Sequence, residues 1–358
     1  MSKPILRVIE TDFNDSRMHI SYGQAMVDQH QQGLQPDTLR FMRFNPSVLI
    51  GRHQVLNDEV NIDYCQKNNI QIVRRITGGG AIYIDSGQLG WELAISKKNI
   101  GSGQLSEITK ILCEAAAKGL GKLNIDAKFR PRNDLEVDGR KIAGTGGFFD
   151  GDTLFFQAGA LVDMDVNHMT SSLNIPAAKL NKRNIKSGSD RVVTVRELLG
   201  DKTPSIQVFS DNLCDALCEA LGLEPQRAEC SQAELELAQE YYDDEIGQDD
   251  YVYEINRIHQ GDVVRRGHTV TPGGIIYASV KLKGAKLNMI GEIVFNGDLF
   301  VSPPRVLYDL EAHLKGVYLP DVAAAIGSFF EKTKINMMSV QPEHFVNAIN
   351  NALEQGQA

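Results

Sequence analysis

Two adjacent arginines followed by a glycine run form the stretch best suited to chemistry. Residues 74–85 read Arg-Arg-Ile-Thr-Gly-Gly-Gly-Ala-Ile-Tyr-Ile-Asp. Three consecutive glycines cost conformational entropy, so an ordered protein uses them where its backbone approaches another group closely or takes a positive φ. Guanidinium forks and bare peptide N–H groups together form a cradle for an anion. The alternative is a flexible hairpin turn with solvated arginines. The run is neither a P-loop nor a dinucleotide-binding glycine motif.

A second stretch places a lysine next to further glycines. Residues 132–147 read Arg-Asn-Asp-Leu-Glu-Val-Asp-Gly-Arg-Lys-Ile-Ala-Gly-Thr-Gly-Gly. The pair Asp138-Gly139 between two apolar runs predicts a hairpin, with Lys141 two residues beyond the turn. A lysine that projects toward a glycine-lined cavity holds a carboxylate or phosphate as a point charge. An edge-strand lysine in water is the competing interpretation.

Two further segments carry reactive side chains with more ordinary explanations. Residues 179–191 contain five cations among glycine and serines, which is typical of a solvated loop and also suits a mobile cover over an anionic ligand. Cys214 and Cys218 lie one turn apart on a predicted helix over residues 209–221. No His/Cys pair at ligand spacing accompanies them, so buried core thiols are favoured over metal ligands.

Composition and charge limit the class of protein. The chain has 358 residues, 42% hydrophobic and 23% charged, which is ordinary for a globular protein of two or three domains. A net charge of −9 argues against a general nucleic-acid scaffold, so any phosphate binding is local. No apolar run approaches the roughly 20 residues that cross a bilayer, and the first residues lack a signal-peptide pattern. Five cysteines, an odd number, fit reduced thiols and a cytoplasmic location.

Alternating strand and helix patterns predict an α/β (α+β) fold. We expect strands at 6–10, 40–51, 70–73, 81–84, 91–96, 135–137, 140–143 and 155–164, and helices at 15–32, 59–69, 106–119 and 209–221. The composition turns acidic and polar near 240–250, which suggests a boundary between domains 1–245 and 250–358. The second domain is predicted to contain strands at 274–282 and 285–295 and helices at 304–315, 321–332 and 341–355.

These stretches, in this order and spacing, closely resemble the lipoate–protein ligase A family. The resemblance runs from about residue 40 to 200 and includes the predicted strand and turn at 45–54. Residues 270–330, with Gly-Gly-Ile-Ile at 273–276 and Phe-Asn-Gly-Asp-Leu-Phe at 295–300, look like the accessory C-terminal domain of such ligases. The resemblance implies a biotin/lipoate-ligase-type catalytic domain with mixed sheets flanked by helices, plus a small α+β accessory domain.

The resemblance also implies a two-step reaction with ATP, Mg²⁺ and lipoate. Lipoate attacks the α-phosphate of ATP to give lipoyl-AMP and pyrophosphate, and a lysine of an acceptor protein then takes the lipoyl group and releases AMP. The implied acceptor is a lipoyl domain of a 2-oxoacid dehydrogenase, a glycine-cleavage H protein or a similar protein. No nucleic-acid or membrane partner is implied.

Matching positions give a set of expected site residues. Lys141 would be the catalytic group, bridging the lipoate carboxylate and the α-phosphate. A shared ammonium suits this chemistry because the attack brings two anions together. Asp134 is the candidate metal ligand, and Val48, Ile50 and Ile76, with Ile82 as a further candidate, would line an apolar slot for the lipoyl chain or be ordinary core. The expected contacts of ATP or lipoyl-AMP are Arg75, Thr77, Gly78, Gly79, Gly80, Ala81, Ile82, Tyr83, Asn133, Asp134, Lys141, Gly144, Thr145 and Gly159.

Two alternatives to the ligase are a lipoyl or octanoyl transferase without adenylation and a non-catalytic lipoyl-binding relative. Transferases of this fold carry the acyl group on a cysteine, and residues 127–131 and 139–149 contain none, which favours the ligase. The chain departs from the family pattern at Ile84, at Gln88 and at Ala158, where the family often has histidine, asparagine and histidine. These departures suggest a divergent branch. The retained Lys141, Asn133 and Arg75 argue against a non-catalytic relative, because a retired site would be free to lose them.

Overall fold

An eight-stranded mixed sheet forms the centre of the larger unit. The computed structural model describes residues 3–101, 103–174, 191–253, 264–333 and 335–355. Its strand order is β11-β1-β2-β6-β10-β9-β8-β7, and a separate three-stranded sheet has the order β4-β3-β5. The strands are β1 (Ile5–Thr11), β2 (Thr38–Met42), β3 (Ser47–Ile50), β4 (Gln71–Arg74), β5 (Ile82–Ile84), β6 (Gln88–Ser96), β7 (Lys128–Arg130), β8 (Asp134–Val137), β9 (Arg140–Asp150), β10 (Thr153–Leu161) and β11 (Glu224–Arg227).

Helices cover both faces of the main sheet. One face packs against α5 and α8 around Trp91 and Phe156, and the other packs against α1 and α9 around Tyr22 and Phe155. The helices are α1 (Ser16–Gln31), α2 (Leu56–Glu59), α3 (Ile62–Lys67), α4 (Lys97–Ile100), α5 (Leu105–Gly121), α6 (Val166–Ser172), α7 (Val195–Leu199), α8 (Ile206–Leu221), α9 (Gln232–Asp244) and α10 (Asp249–Tyr253), with a 3₁₀ turn at Gly200–Lys202. This is the helix-flanked mixed sheet that the sequence predicts.

The small sheet corrects the alternative in which the glycine run is a hairpin turn. Strands β4 and β5 do not pair with each other, because β3 lies between them, parallel to β4 and antiparallel to β5. The residues from 75 to 81 therefore cross over β3 instead of closing a tight turn. The single strand expected over 40–51 is wrong as well: β2 and β3 belong to different sheets, and Pro46, which has no backbone N–H, lies between them.

The second unit is a small α+β body, as predicted. Strands β12 (Arg265–Thr271), β13 (Gly274–Lys283) and β14 (Met289–Gly297) form an antiparallel sheet, and β15 (Val301–Ser302) pairs with β16 (Asn336–Met337). Helices α11 (Val306–Leu314), α12 (Val322–Lys332) and α13 (Pro342–Gln355) complete it, with a 3₁₀ turn at Leu319–Asp321. Phe295 and Phe345 meet edge-on in its core, with ring centroids 5.1 Å apart.

The structure changes one expected helix and leaves the domain division and the proposed cover as predictions. The helix expected over 59–69 divides into α2 and α3, because the Asn61 side chain accepts the Tyr64 N–H and starts a new helix. Tyr251 and Val252 pack in the larger unit, where their carbonyl oxygens accept hydrogen bonds from Arg74, and the division at 245–250 stays a prediction. The proposed cover at 179–191 lies outside the described residues except for its last member. Within the described ranges, no helix has the length and apolar character needed to span a membrane.

Candidate active site

A β-bulge places the Lys141 side chain. Asp138 (φ 49°) and Gly139 (φ 79°) form the tight turn between β8 and β9, as predicted. The β8–β9 pairing then shifts register, so that Ile142 has no partner of its own on β8. A bulge re-aims the neighbouring side chain, and here it brings Lys141 across Gly144. A methyl group on Gly144 would overlap the lysine ammonium and would lie 2.6 Å from its Cε, so this position must be glycine for the lysine to lie there.

The lysine ammonium belongs to a row of alternating charges. Lys141 Nζ lies 2.8 Å from Asp134 Oδ1, and the Arg130 guanidinium donates to the other oxygen of the same carboxylate. Arg130 also donates to Glu136 over 3.2 Å. Burial opposes ionisation of Asp134, but the charges of Lys141 and Arg130 outweigh it and hold the pKa of Asp134 below its usual value. The row therefore consists of two cations and two anions on the face that carries Gly144.

Three glycines on neighbouring strands continue from the lysine across the sheet. Gly144, Gly159 and Gly90 lie directly opposite one another on β9, β10 and β6, and we call them the glycine floor. Among the described residues, no heavy atom lies within 4 Å of the point where a Gly159 Cβ would be. At the far end, Met42 Cγ lies 3.1 Å from the corresponding point on Gly90. The floor is therefore a bare strip of backbone with an ammonium at one end and apolar side chains at the other.

Asn133 and Thr145 fasten the segment before β8 onto β9. The Thr145 N–H and hydroxyl donate to the Asn133 carbonyl oxygen over 2.8 and 3.0 Å, and the Asn133 amide donates to the Thr145 carbonyl. The Thr145 hydroxyl lies 3.8 Å from Cys113 Sγ on α5, so the side chain is on the face opposite Lys141. The Thr145 side chain thus holds Asn133 in place from behind and is not brought to the lysine.

The two arginines before the glycine run donate to backbone carbonyl oxygens, and Arg75 donates to the run itself. Arg75 donates to the carbonyl oxygens of Leu49 over 2.8 Å, Gly78 over 3.1 Å and Gly80 over 3.0 Å. The residue is 4% exposed, and burial lowers the pKa of its guanidinium to about 10. Arg74 is fully buried and donates in the same way to backbone carbonyls. The Arg75 guanidinium therefore holds the run, whereas Arg74 holds the turn that follows β3, and contact between Arg75 and a nucleotide stays a prediction.

The close approach that the glycines permit involves the second unit. Gly79 (φ +94°) donates its N–H to the Leu299 carbonyl oxygen over 3.0 Å, and a side chain on Gly78 would overlap that carbonyl. The Phe300 ring lies between the run and the main sheet: its Cζ is 2.6 Å from a Cβ built on Gly79, and its Cε1 is 2.9 Å from one built on Gly146. Phe300 therefore forms a wall between the glycine run and β9.

The remaining predicted contacts in the run differ in exposure. Gly80, Ala81 and Ile82 are partly exposed, whereas Thr77 and Tyr83 are buried. Residues 80–82 are thus an open part of the run. Their contact with a nucleotide stays a prediction.

The structure does not bring together the three residues expected to line the lipoyl slot. Val48 and Ile50 are fully buried in one hydrophobic cluster, while Ile76 belongs to another cluster with Leu49 and Val73. Successive side chains of a strand point to opposite faces, so Val48 and Leu49 separate these clusters. The three side chains are therefore buried in separate clusters, and their contact with a lipoyl chain stays a prediction.

Asp134 is the candidate metal ligand that the sequence offers. Within the described residues, no group of three or more His, Cys, Asp or Glu side chains is placed to hold a metal ion. Cys214 and Cys218 are buried core thiols, as favoured from the sequence.

Sequence reasoning missed Gly90 and Arg130. A glycine inside the apolar strand at 88–96 was the available signal for Gly90, and Arg130 showed none before its pairing across β7 and β8 was known.

Comparison with known proteins identifies relatives of this chain. Residues 15–218 match the family described as the lipoyl protein ligase A/B catalytic domain. Lipoate-protein ligase LplJ of Bacillus subtilis is 32% identical over 201 residues, 55% of this chain and 58% of that protein, so the chain spans little more than half of this relative. Lipoate-protein ligase A subunit 1 of Thermoplasma acidophilum is 30% identical over 248 residues, 66% of this chain and 92% of that protein. Octanoyltransferase LipM of Brevibacillus brevis is 25% identical over 65% of this chain and 93% of its own length.

Solved structures share the fold. A bipartite lipoate protein ligase from Thermoplasma acidophilum, studied with its E2 lipoyl domain, has a TM-score of 0.63 at 26% identity and covers 73% of this chain and 100% of its own. A lipoate-protein ligase A bound with ATP has a TM-score of 0.61 at 26% identity over 70% of this chain and 99% of its own. LipL1 of Plasmodium falciparum, at 15% identity and a TM-score of 0.73, covers 99% of this chain and 100% of its own, so the fold likeness includes the second unit. The predicted fold class is confirmed, and the chain belongs to the lipoyl protein ligase A/B catalytic domain family.

Proposed function

We propose that the protein is an ATP-dependent lipoate–protein ligase, which activates lipoate as lipoyl-AMP and transfers the lipoyl group to a lysine of an acceptor protein. The observation that carries the proposal is the Lys141 ammonium at one end of the glycine floor, backed by Asp134 and facing the open position at Gly159. An ammonium beside bare backbone suits a ligand with a carboxylate head and a slender apolar chain. Relatives named lipoate-protein ligase support the same reading.

Lipoate would lie along the glycine floor. Its carboxylate would meet Lys141, and its chain and dithiolane would extend over Gly159 toward Gly90 and Met42. Neighbouring strands are spaced about 4.8 Å apart, so the floor offers about 10 Å between Gly144 and Gly90. This position differs from the slot that the sequence predicts at Val48, Ile50 and Ile76. Because the floor carries no side chain at Gly159, the ligand can approach the backbone closely.

In the first step, a lipoate carboxylate oxygen bonds to the α-phosphorus of ATP, and the bond from that phosphorus to the bridging oxygen breaks to release pyrophosphate. Lys141 would lie between the two anions and offset their repulsion. As the oxygens on phosphorus gain charge, the ammonium binds the transition state more strongly than the ground state. Asn133 and residues 80–82 are the other groups proposed to contact the adenylate, with Asp134 close to its phosphate.

Mg²⁺ fits this site only as a companion of the phosphates. Asp134 already accepts from Lys141 and Arg130, and the part of the chain that the structure describes offers no cluster of three protein ligands. Mg²⁺ commonly binds one or two carboxylates together with substrate phosphates and water, and it would supply charge neutralisation there. Asp134 remains the candidate carboxylate.

In the second step, the amine of an acceptor lysine attacks the lipoyl carbonyl, the amide bond forms and AMP leaves. A bipartite ligase of the family is known together with its E2 lipoyl domain, which supports a lipoyl domain as the acceptor here. A glycine-cleavage H protein is a further candidate of the same kind. The five free cysteines support the cytoplasm as the compartment.

The transferase alternative needs a reactive thiol at the cleft. Four of the five cysteines are buried, and Cys113, the thiol beside Thr145, lies behind the sheet on the α5 side. Burial raises the pKa of Cys113 to about 12, so the reactive thiolate is scarce at neutral pH. The ligase is therefore favoured, although octanoyltransferases occur among the relatives.

A lipoate-dependent ATP–pyrophosphate exchange assay tests the proposal, with octanoate and biotin run beside lipoate. We expect exchange with lipoate in the wild type and none in Lys141→Met. Lys128→Met is the matched control, because this exposed lysine pairs with Asp126 on the surface. Transfer is followed by the mass increase of a lipoyl domain. A folded wild type without exchange would leave only the transferase or binding alternatives.

A further inference from the structure

Arg130 and Asp134 stand beside Lys141 in a single row across the sheet. In the strand register, Arg130 on β7 faces Asp134 on β8, and Asp134 faces Gly144 on β9, over which the lysine lies. All three charged side chains are largely shielded from solvent, with 19% of Arg130, 18% of Asp134 and 29% of Lys141 exposed. The Asp134 carboxylate is therefore shared between two cations, one oxygen for each.

This sharing addresses an electrostatic difficulty of the site. A carboxylate 2.8 Å from the ammonium offsets the positive charge of Lys141, which weakens its attraction for a second anion. A carboxylate that is shielded from solvent and has no cationic partner would itself destabilise the fold. Because Arg130 pairs with its other oxygen, Asp134 can orient the lysine while the Arg130 guanidinium offsets part of the carboxylate charge.

We propose that Arg130 is a positioning residue that shares Asp134 with Lys141 and so leaves the lysine charge available to the anionic head of the substrate. The proposal rests on the function proposed above and adds a residue to it. Arg130 is assigned to act through Asp134, because one of its terminal nitrogens donates to that carboxylate and the other donates to Glu136.

Calorimetric titration with lipoate alone, without ATP or Mg²⁺, measures the effect on anion binding directly. In Arg130→Gln, the whole Asp134 charge falls on Lys141, and we expect the dissociation constant for lipoate to rise about tenfold, or about 1.4 kcal/mol. Arg130→Lys restores one cation without the fork and should lie between the wild type and Arg130→Gln. The matched control is Arg140→Gln, which removes the same charge close to Lys141 from a surface pair with Glu197. It should bind lipoate within about twofold of the wild type.

A second substitution separates this role from a structural one. In Arg130→Gln/Asp134→Asn, the carboxylate that competes for the lysine is gone, so lipoate affinity should return most of the way to the wild-type value. A merely structural arginine would leave the double variant as weak as the single one or weaker. Unchanged affinity in Arg130→Gln, or no recovery in the double variant, would overturn the proposal. If Arg130→Gln does not fold, Arg130→Lys with and without Asp134→Asn gives the same comparison.

A readout independent of lipoate distinguishes failure of this inference from failure of the proposed function. Acetylation of Lys141 by an N-hydroxysuccinimide ester is followed by mass spectrometry of the corresponding peptide. The lysine should react several-fold more slowly in Arg130→Gln, because Asp134 then pairs with it alone, and Arg140→Gln should leave the rate unchanged. A wild type that binds no lipoate would refute the function. An equal Lys141 rate in wild type and Arg130→Gln would refute the shared carboxylate.

Discussion

Replacing Gly144 by alanine should remove activity while preserving the fold. The added methyl group would lie 2.6 Å from Lys141 Cε, so this carbon must retreat by about 0.8 Å to reach the 3.4 Å of ordinary contact, and the ammonium at the end of the chain must move as well. The obstacle is the end of a flexible side chain, so we expect the free energy of unfolding to change by less than about 1 kcal/mol. A misplacement of about 1 Å at a reacting centre costs about 100-fold in rate.

The assay is lipoate-dependent pyrophosphate exchange, measured with thermal unfolding of the same sample. Gly159→Ala is the matched control on the adjacent strand, since its methyl group would meet no heavy atom within 4 Å among the described residues. It should raise KM for lipoate by narrowing the floor, with kcat changed far less than in Gly144→Ala. Exchange in Gly144→Ala within threefold of the wild type would refute the role given to the lysine position. A large fall in its melting temperature would refute the claim that the ammonium simply moves aside.

Three further outcomes test other parts of the structure. Gly146→Ala should destabilise the fold by about 1–3 kcal/mol, because its methyl group would lie 2.9 Å from the Phe300 ring. The loss of stability should be smaller in a Phe300→Leu background, and equal losses in both backgrounds would contradict that contact. Arg75→Lys should lower stability by about 1–3 kcal/mol, because one ammonium cannot reach all the carbonyls that the guanidinium serves, and an unchanged urea midpoint would speak against this. Burial lowers the pKa of His53 to about 3, whereas the unfolded chain has the ordinary histidine pKa near 6.5. Below pH 6.5 the unfolded chain therefore binds a proton that the folded chain does not, and the free energy of unfolding should fall from pH 7.5 to 5.5. In urea unfolding, His53→Gln should show a smaller fall in that free energy over the same pH range.

Local sequence signals predicted the elements that form by local rules. The Asp138-Gly139 turn and the helices predicted over 15–32, 106–119 and 209–221 follow from residue conformation and the helical period, and they appear close to where expected, whereas the helix at Gln232–Asp244 was not predicted. The order β4-β3-β5 could not be read in this way, because it depends on pairing between segments that the sequence keeps apart. The hairpin alternative failed for that reason.

The site was predicted in part. Lys141 and the glycines near it were recognisable from motifs, but the direction of a side chain on a strand depends on register. The bulge at Ile142 decides that Lys141 joins the face of Gly144, whereas Thr145 faces α5. Arg130 enters only through pairing of β7 with β8, and Gly90 only through pairing of β6 with β10. Such pairings are tertiary facts that no short window contains.

The hydrogen bond from Gly79 to Leu299 has a consequence for the order in which the molecule matures. Its two residues lie roughly 220 positions apart in the chain, and contacts of such separation form late because loop-closure entropy is lost before the contact is gained. During synthesis, the sheets of the first unit can assemble well before the ribosome delivers Leu299 and Phe300. We therefore expect a nascent chain to complete the Phe300 wall between the glycine run and β9 only near the end of translation.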